Sequence, residues 1–193
     1  MGRSIVVVLG HPQNSSFCGA LADAYVESAL AAGHAVQLFR LSDVVFDPIL
    51  QQGYRSPQPL EENLAVVAKA IQAAEHWVLV YPVWWGGMPA LLKGFIDRVF
   101  LPGYAFKYRP NSALWDKLLQ GRSARVIQTL DTPIWYERWI NGNPAARQIK
   151  KTILQFCGFN PVRFTRFAPI RGSSAAQRQR WLEQVRKLGQ GGD

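Results

Sequence analysis

Three loop segments hold most of the residues able to do chemistry in this 193-residue chain. The first, "GHPQNSSF" (Gly10 to Phe17), carries His11, Asn14, Ser15 and Ser16 into the start of an apparent helix. Free backbone N–H groups and a partial positive charge at a helix start suit a phosphate, with the two hydroxyls, the amide and the imidazole as further donors. The second, "PVWWGGMPA" (Pro82 to Ala90), joins flat indole faces at Trp84 and Trp85 to two glycines that permit close backbone approach. Backbone N–H groups from Trp84 to Gly86 suit the heteroatoms of a planar ligand, and the indoles give it a wall. The third, "DTPIWYERWING" (Asp131 to Gly142), supplies Trp135, Trp139 and Tyr136, whose phenol can donate a proton. As an ordinary fold feature each loop has a plain reading too: an N-cap cluster, a packing tryptophan, a hydrophobic lid.

Several other chemistries are disfavoured. The first loop lacks G-x-G-x-x-G and GxxxxGK[ST], which weakens dinucleotide-fold and P-loop readings. No arginine follows Cys18 at the spacing of a phosphatase loop, where Ala24 stands, so Cys18 reads as a small packing residue. Cys18 and Cys157 form neither a disulfide framework nor a zinc pattern, and no metal site is expected.

The elements that must position these loops follow from periodicity. Short β-branched runs at Ser4–Gly10, His34–Leu41, His76–Pro82, Ala124–Asp131 and Pro161–Ile170 read as buried parallel strands. Between them lie helix-period segments. One follows Asn14-Ser15-Ser16, with Phe17, Leu21, Ala24 and Ser28 on one face, and ends at Gly33. Others span Leu60–Ala74, start at Pro89 with Leu92, Phe95, Ile96 and Val99 facing inward, and cover Pro144–Phe156 and Ser174–Leu188. Asp43–Gln58, Leu101–Arg122 and Thr132–Asn143 read as long loops, and the final "GQGGD" as frayed. Five strands alternating with five helices predict an α/β fold: a three-layer sandwich around a five-stranded parallel sheet, with helices on both faces, forming one domain over residues 1–193. In the flavodoxin-like order 2-1-3-4-5, as in the Rossmann order, ligands bind beyond the carboxyl ends of the strands. The loops after strands one, three and four then meet. Together, a phosphate loop, a glycine-aromatic loop and an aromatic lid describe a flavin mononucleotide pocket.

The net charge of +9, from 22 basic and 13 acidic side chains, attracts anions such as phosphorylated cofactors or acidic surfaces. No nucleic-acid recognition pattern accompanies it, so nucleic acid is not expected as a partner. The start resembles no secretory signal and no run has membrane-spanning length, which predicts a cytoplasmic protein.

At "HPQNSSFCGAL" (His11–Leu21), "YPVWWGGMPALLKGFIDRVF" (Tyr81–Phe100), "PGYAFKY" (Pro102–Tyr108) and "FCGFNPVRF" (Phe156–Phe164), the sequence resembles the flavodoxin-like NAD(P)H:quinone oxidoreductases, including the ancillary oxidoreductases of bacterial potassium-efflux systems. The resemblance implies a homodimer with one non-covalent flavin per subunit, FMN or alternatively FAD. It implies two-electron transfer from NAD(P)H to a quinone or similar flat electrophile, both substrates using one site in turn. It places His11, Ser16, Phe17 and Cys18 at the phosphate, and Pro82, Val83, Trp84 and Trp85 along the flavin ring. Tyr108 matches an aromatic that closes the substrate pocket, in some members from the second subunit. Thr129 and Asp131 fall where many members carry Thr-Thr-Gly-Gly, but here the run is Thr129-Leu130-Asp131-Thr132-Pro133. Tyr136 matches a tyrosine that some members pair with a histidine, and no histidine stands nearby. Tyr136 and Tyr108 are the candidate catalytic residues. Two further readings are a one-electron flavodoxin-type carrier, which the positive charge disfavours, and an ancillary subunit in peripheral contact with a membrane transporter.

Overall fold

A computed structural model describes residues 2–56 and 58–193. Met1, and Pro57 in the long loop Asp43–Gln58, lie outside the described residues.

The strands β1 (Ser4–Leu9), β2 (Ala35–Arg40), β3 (His76–Pro82), β6 (Ser123–Thr129) and β7 (Val162–Phe167) form one parallel sheet in the order β2-β1-β3-β6-β7. Counting these five strands alone, this is the order 2-1-3-4-5. Each strand is shorter by a residue or more than its apolar run suggests, except β3, which matches it. Alternation along β1 divides the core. Ile5, Val7 and Leu9 pack with Leu21 and Tyr25 of α1 (Phe17–Ala31) and Val185 of α7 (Ala175–Gly191). Val6 and Val8 face the opposite layer. There they meet Leu64, Val67 and Ile71 of α2 (Glu62–Ala73) and Leu92 and Phe95 of α3 (Ala90–Val99). Burial on both faces explains why these strands read as continuous apolar runs.

The predicted loop Leu101–Arg122 contains a hairpin of β4 (Phe106–Tyr108) and β5 (Trp115–Lys117). Three-residue strands are too short to show an alternation in sequence. The predicted lid loop contains a short helix, α4 (Ile134–Trp139), opened by Pro133 without a side-chain cap. The predicted helix Pro144–Phe156 runs as α5 (Pro144–Arg147), a π-helical stretch (Gln148–Leu154) and α6 (Gln155–Cys157).

The chain's last residues differ from the frayed end expected. Helix α7 continues to Gly191, and Gly192 adopts a left-handed conformation that ends it. The Asp193 carboxylate accepts from Arg163 and, at 3.1 Å, from Arg125, while Arg3 donates to the Gly192 carbonyl at 2.7 Å. Partners for this short polar tail come from β6, β7 and the chain's start, so its own sequence does not reveal them.

Candidate functional site

Strand order brings the loops after β1, β3 and β6 to one end of the sheet. They line two adjoining cavities that share Val83, Leu130 and Asp131. The smaller, about 200 Å³, is bounded by His11, Ser16, Phe17, Cys18, Pro82, Trp84, Thr129 and Ile170 as well. The larger, about 580 Å³, adds Trp85, Gly86, Thr132, Glu137, Asn141 and Pro144.

At the smaller cavity Ser16 caps α1. Its Oγ accepts from the Gly19 N–H at 3.1 Å, and its carbonyl accepts from Ala20. The N–H groups of Phe17 and Cys18, first in the helix, have no partner within it, and both residues line this cavity. His11 accepts the Gln13 N–H at Nδ1, 2.9 Å, so a neutral ring carries its proton on Nε2 as a donor. Burial lowers its pKa and favours that neutral form. Cys18 Sγ lies 3.1 Å from Thr129 Oγ1, and burial pushes its thiol up to about 12. Cys18 is therefore a neutral wall of the cavity with no nucleophilic character.

The Trp-Trp-Gly-Gly segment is a tight two-residue turn. Trp84 N–H donates to the Gly87 carbonyl at 3.0 Å, and Gly87 N–H to the Trp84 carbonyl at 2.9 Å. Positive φ falls on Trp85 (51°) and Gly86 (69°), not on the glycine pair, because those two are the central residues, as in a type I′ turn. The Trp84 N–H is thus spent within the turn, and Trp85 and Gly86 retain the available N–H donors at its tip. Trp84 packs edge-on against His11, and Trp85 projects fully into solvent at the rim of the larger cavity.

Three expected site residues stand elsewhere. The Asn14 amide donates to Asp43 at 2.8 Å, and its oxygen accepts from Ser42, so it ties the first loop to the end of β2. Tyr108 lies on β4 and lines a separate cavity of about 290 Å³ with Phe106, Phe156 and Tyr54. Tyr136 is half-exposed and packs edge-on against Trp135. On α4 the neighbour of Tyr136 takes the inner position instead. Glu137 is 3% exposed, its Oε2 accepts from Asn141 Nδ2 at 2.8 Å, and its Oε1 has no partner among the described residues. Glu137 and Asn141 were not legible as site residues. A single acid between Trp and Arg in a presumed loop reads as solvated, and only the helical turn of α4 directs it inward. Asp131 lines both cavities, and its Oδ1 accepts from the Arg171 N–H at 2.6 Å, which fixes this loop to the one after β7.

These residues fit a flavin mononucleotide. Two unpaired helix N–H groups, a serine and a histidine donor meet a phosphate at one end. At the other lie a roomier cavity, the two N–H groups of the turn tip, and a wall of Val83, Trp85, Leu130 and Pro144.

Comparison with known proteins agrees with this architecture. A family model described as "Flavodoxin-like fold" matches residues 3–188. The chain therefore belongs to the flavodoxin-like fold family. It is 30% identical over 182 residues to NAD(P)H dehydrogenase (quinone) 1 of Cavia porcellus, covering 81% of this chain and 65% of that protein. The chain thus spans somewhat less than two thirds of that relative's length. It is 26% identical over 188 residues to FMN-dependent NADH:quinone oxidoreductase of Ruegeria pomeroyi, covering 88% of this chain and 90% of that one. The crystal structure of Smu.1420 from Streptococcus mutans UA159 superposes with a TM-score of 0.82 at 30% identity, over 97% of this chain and 98% of that one.

Proposed function

We propose that the protein is an FMN-dependent oxidoreductase that passes two electrons from NAD(P)H to a quinone or a similar flat electrophile. The observation that carries this reading is the joining, through Val83, Leu130 and Asp131, of a helix-start anion cavity to a larger aromatic-rimmed one. The relatives named above for quinone reduction, and the FMN-dependent one among them, support it.

Bound FMN supplies the hydride-accepting and hydride-donating ring. The chain's own part is to hold and shield. Phe17 and Cys18 N–H, the Ser16 hydroxyl and His11 Nε2–H receive the phosphate. The N–H groups of Trp85 and Gly86 favour negative charge at the ring end. Trp85 offers a face on which a second flat molecule stacks, and its rim position leaves space for donor and acceptor to alternate. The tyrosine–histidine arrangement of some members is absent here, and no proton step is assigned to Tyr136.

We further infer a cytoplasmic homodimer. Tyr108 is exposed and lines a different cavity from the flavin cleft of its own chain. It closes a substrate site only by reaching the cleft of a second copy.

The test is to purify the protein, record its visible spectrum, and identify the released flavin by mass. Steady-state rates with varied NAD(P)H and quinone should give parallel double-reciprocal lines. A colourless protein that takes up no added FMN removes the reading. Intersecting lines remove the shared site.

A further inference from the structure

Helix α4 is turned inside out relative to an ordinary surface helix. Its acid, Glu137, is buried. Its large apolar residues face solvent: Trp135 is 63% exposed and Trp139 72%, and Ile140, just past the helix end, is 62% exposed. Trp85, on the turn across the cavity, is exposed as well. Exposed large apolar side chains gathered on one short segment mark something that covers them.

The charge around it indicates what does so. From Thr132 to Gln148 the sole acid is the buried Glu137, and both bases, Arg138 and Arg147, are exposed. The Arg138 guanidinium carbon sits over the exposed Trp139 ring, 5.0 Å from its centre. Tryptophan and isoleucine interleaved with arginine is the chemistry of segments that lie at the headgroup level of anionic bilayers; the one exposed carboxylate beside the segment, Asp131, accepts from the Arg171 N–H.

We propose that the outer face of α4, with Trp85, docks on an anionic lipid surface. Glu137 and Asn141, on the inner side of the same segment, line the 580 Å³ cavity. Docking therefore holds the segment that lines that cavity at the bilayer surface, where membrane-dissolved flat acceptors such as long-chain quinones reside. This substrate half rests on the quinone-reductase reading. The docking half does not.

The experiment is sedimentation of the purified protein with pure-lipid vesicles, either neutral phosphatidylcholine or phosphatidylcholine with phosphatidylglycerol. The native protein is expected to bind the anionic vesicles, to bind neutral ones weakly, and to be released in part by high salt. Trp135→Ser with Trp139→Ser lowers the partition coefficient about tenfold or more. Arg138→Gln with Arg147→Gln lowers it about fivefold per arginine on anionic vesicles only. Melting temperature and flavin content confirm that each variant is folded. In a kinetic arm, the double tryptophan variant keeps its rate with a water-soluble short-chain quinone and loses it with a long-chain quinone embedded in vesicles. Native protein that ignores both vesicle types overturns the proposal. So does binding to cell membranes but not to pure lipid, which assigns the face to a membrane protein. So does a tryptophan variant that becomes monomeric by sedimentation velocity while native vesicle binding is absent, which assigns it to a second copy. Vesicle binding with neither quinone reduced leaves docking in place and removes the reductase reading.

Discussion

The His11 imidazole meets the Trp84 indole edge-on, with ring centroids 5.6 Å apart and planes at 72°. This contact joins the loop after β1 to the turn after β3, and so fixes the anion end of the cleft relative to the ring end. An edge-to-face aromatic pair contributes roughly 0.5–1.5 kcal/mol beyond area burial. Trp84→Ala frees the imidazole from its wall. The expected result is an FMN dissociation constant raised about tenfold, a loss of roughly 1.4 kcal/mol of binding. Global stability changes little, since Trp84 is already part-exposed. Fluorescence titration with FMN and a thermal melt separate the two effects. Equal losses in both would show that Trp84 serves packing alone.

The turn that carries Trp85 holds a bulky residue at φ 51°, a conformation that L-residues other than glycine, Asn and Asp rarely take. Trp85→Gly relieves that strain and should raise stability by about 1 kcal/mol while weakening the hold on flat ligands. Gly86→Ala has the opposite sign. Its φ is 69°, and a Cβ there lies 3.2 Å from Pro144 Cγ, so stability falls by about 1–2 kcal/mol. Urea unfolding of both variants checks the pair. A Trp85→Gly variant less stable than the parent would mean that the indole makes compensating contacts.

Stability should depend on pH through His76, far from the cleft. His76 is buried at the start of β3, with Nδ1 2.7 Å from Ser123 Oγ and Nε2 without a partner among the described residues. Burial, aided by the positive charges of Arg3, Arg125 and Arg163, lowers its pKa to about 3. In the unfolded chain it titrates near 6.5. Below that value the unfolded state binds the proton and the folded state does not. His76's contribution is therefore complete above pH 6.5, declines as pH falls, and levels off near pH 3. The slope approaches about 1.4 kcal/mol per pH unit within that window. Urea unfolding between pH 7.5 and 4 should show it, and His76→Gln should flatten it. An unchanged slope in that variant would place the proton uptake elsewhere.

One buried charge holds Asp47, Pro59 and Glu61 to the third helix. The Arg98 side chain is fully buried on α3. It donates to Glu61 at 3.0 and 3.1 Å, to the Pro59 carbonyl at 2.8 Å, and to the Asp47 carbonyl. Removing the acid leaves a guanidinium without its counter-charge. Glu61→Ala is expected to lower stability by about 3 kcal/mol and to speed amide hydrogen exchange at Asp47, whose N–H donates to Glu61 Oε1 at 3.0 Å. Glu61→Gln should lose less, because it keeps a hydrogen-bond acceptor. Protection at Asp47 that survives in Glu61→Ala would show that the carbonyl contacts hold the loop by themselves.

Much of this was legible in the residues. Doubly buried strands declare themselves as β-branched runs, and Asn14-Ser15-Ser16 announces a helix start, because both signals are local. The part of the smaller cavity lined by His11, Ser16, Phe17 and Cys18 is nearly contiguous in the chain, so its grouping needed only the strand–helix junction. The β4–β5 hairpin left no such mark. Neither did the pinned Asp193, whose partners Arg125 and Arg163 lie 68 and 30 residues away. Asn14 shows the reverse case. Its type suits a phosphate, while in the fold its amide bonds Asp43 and Ser42.

The sequence by itself determined the alternation of strands and helices and the loops that converge, because hydrophobic period and capping chemistry act over a few residues. Only the tertiary structure decided which side chain of each loop turns inward. A helical turn in α4 sends Glu137 into the cavity and leaves Trp135 and Trp139 outside. A two-residue turn gives Trp85 the left-handed backbone and Trp84 the contact with His11. Residue type states what a side chain is able to do. Its direction is set by the backbone conformation beneath it and by the neighbours that distant segments bring, and neither is written locally in the chain.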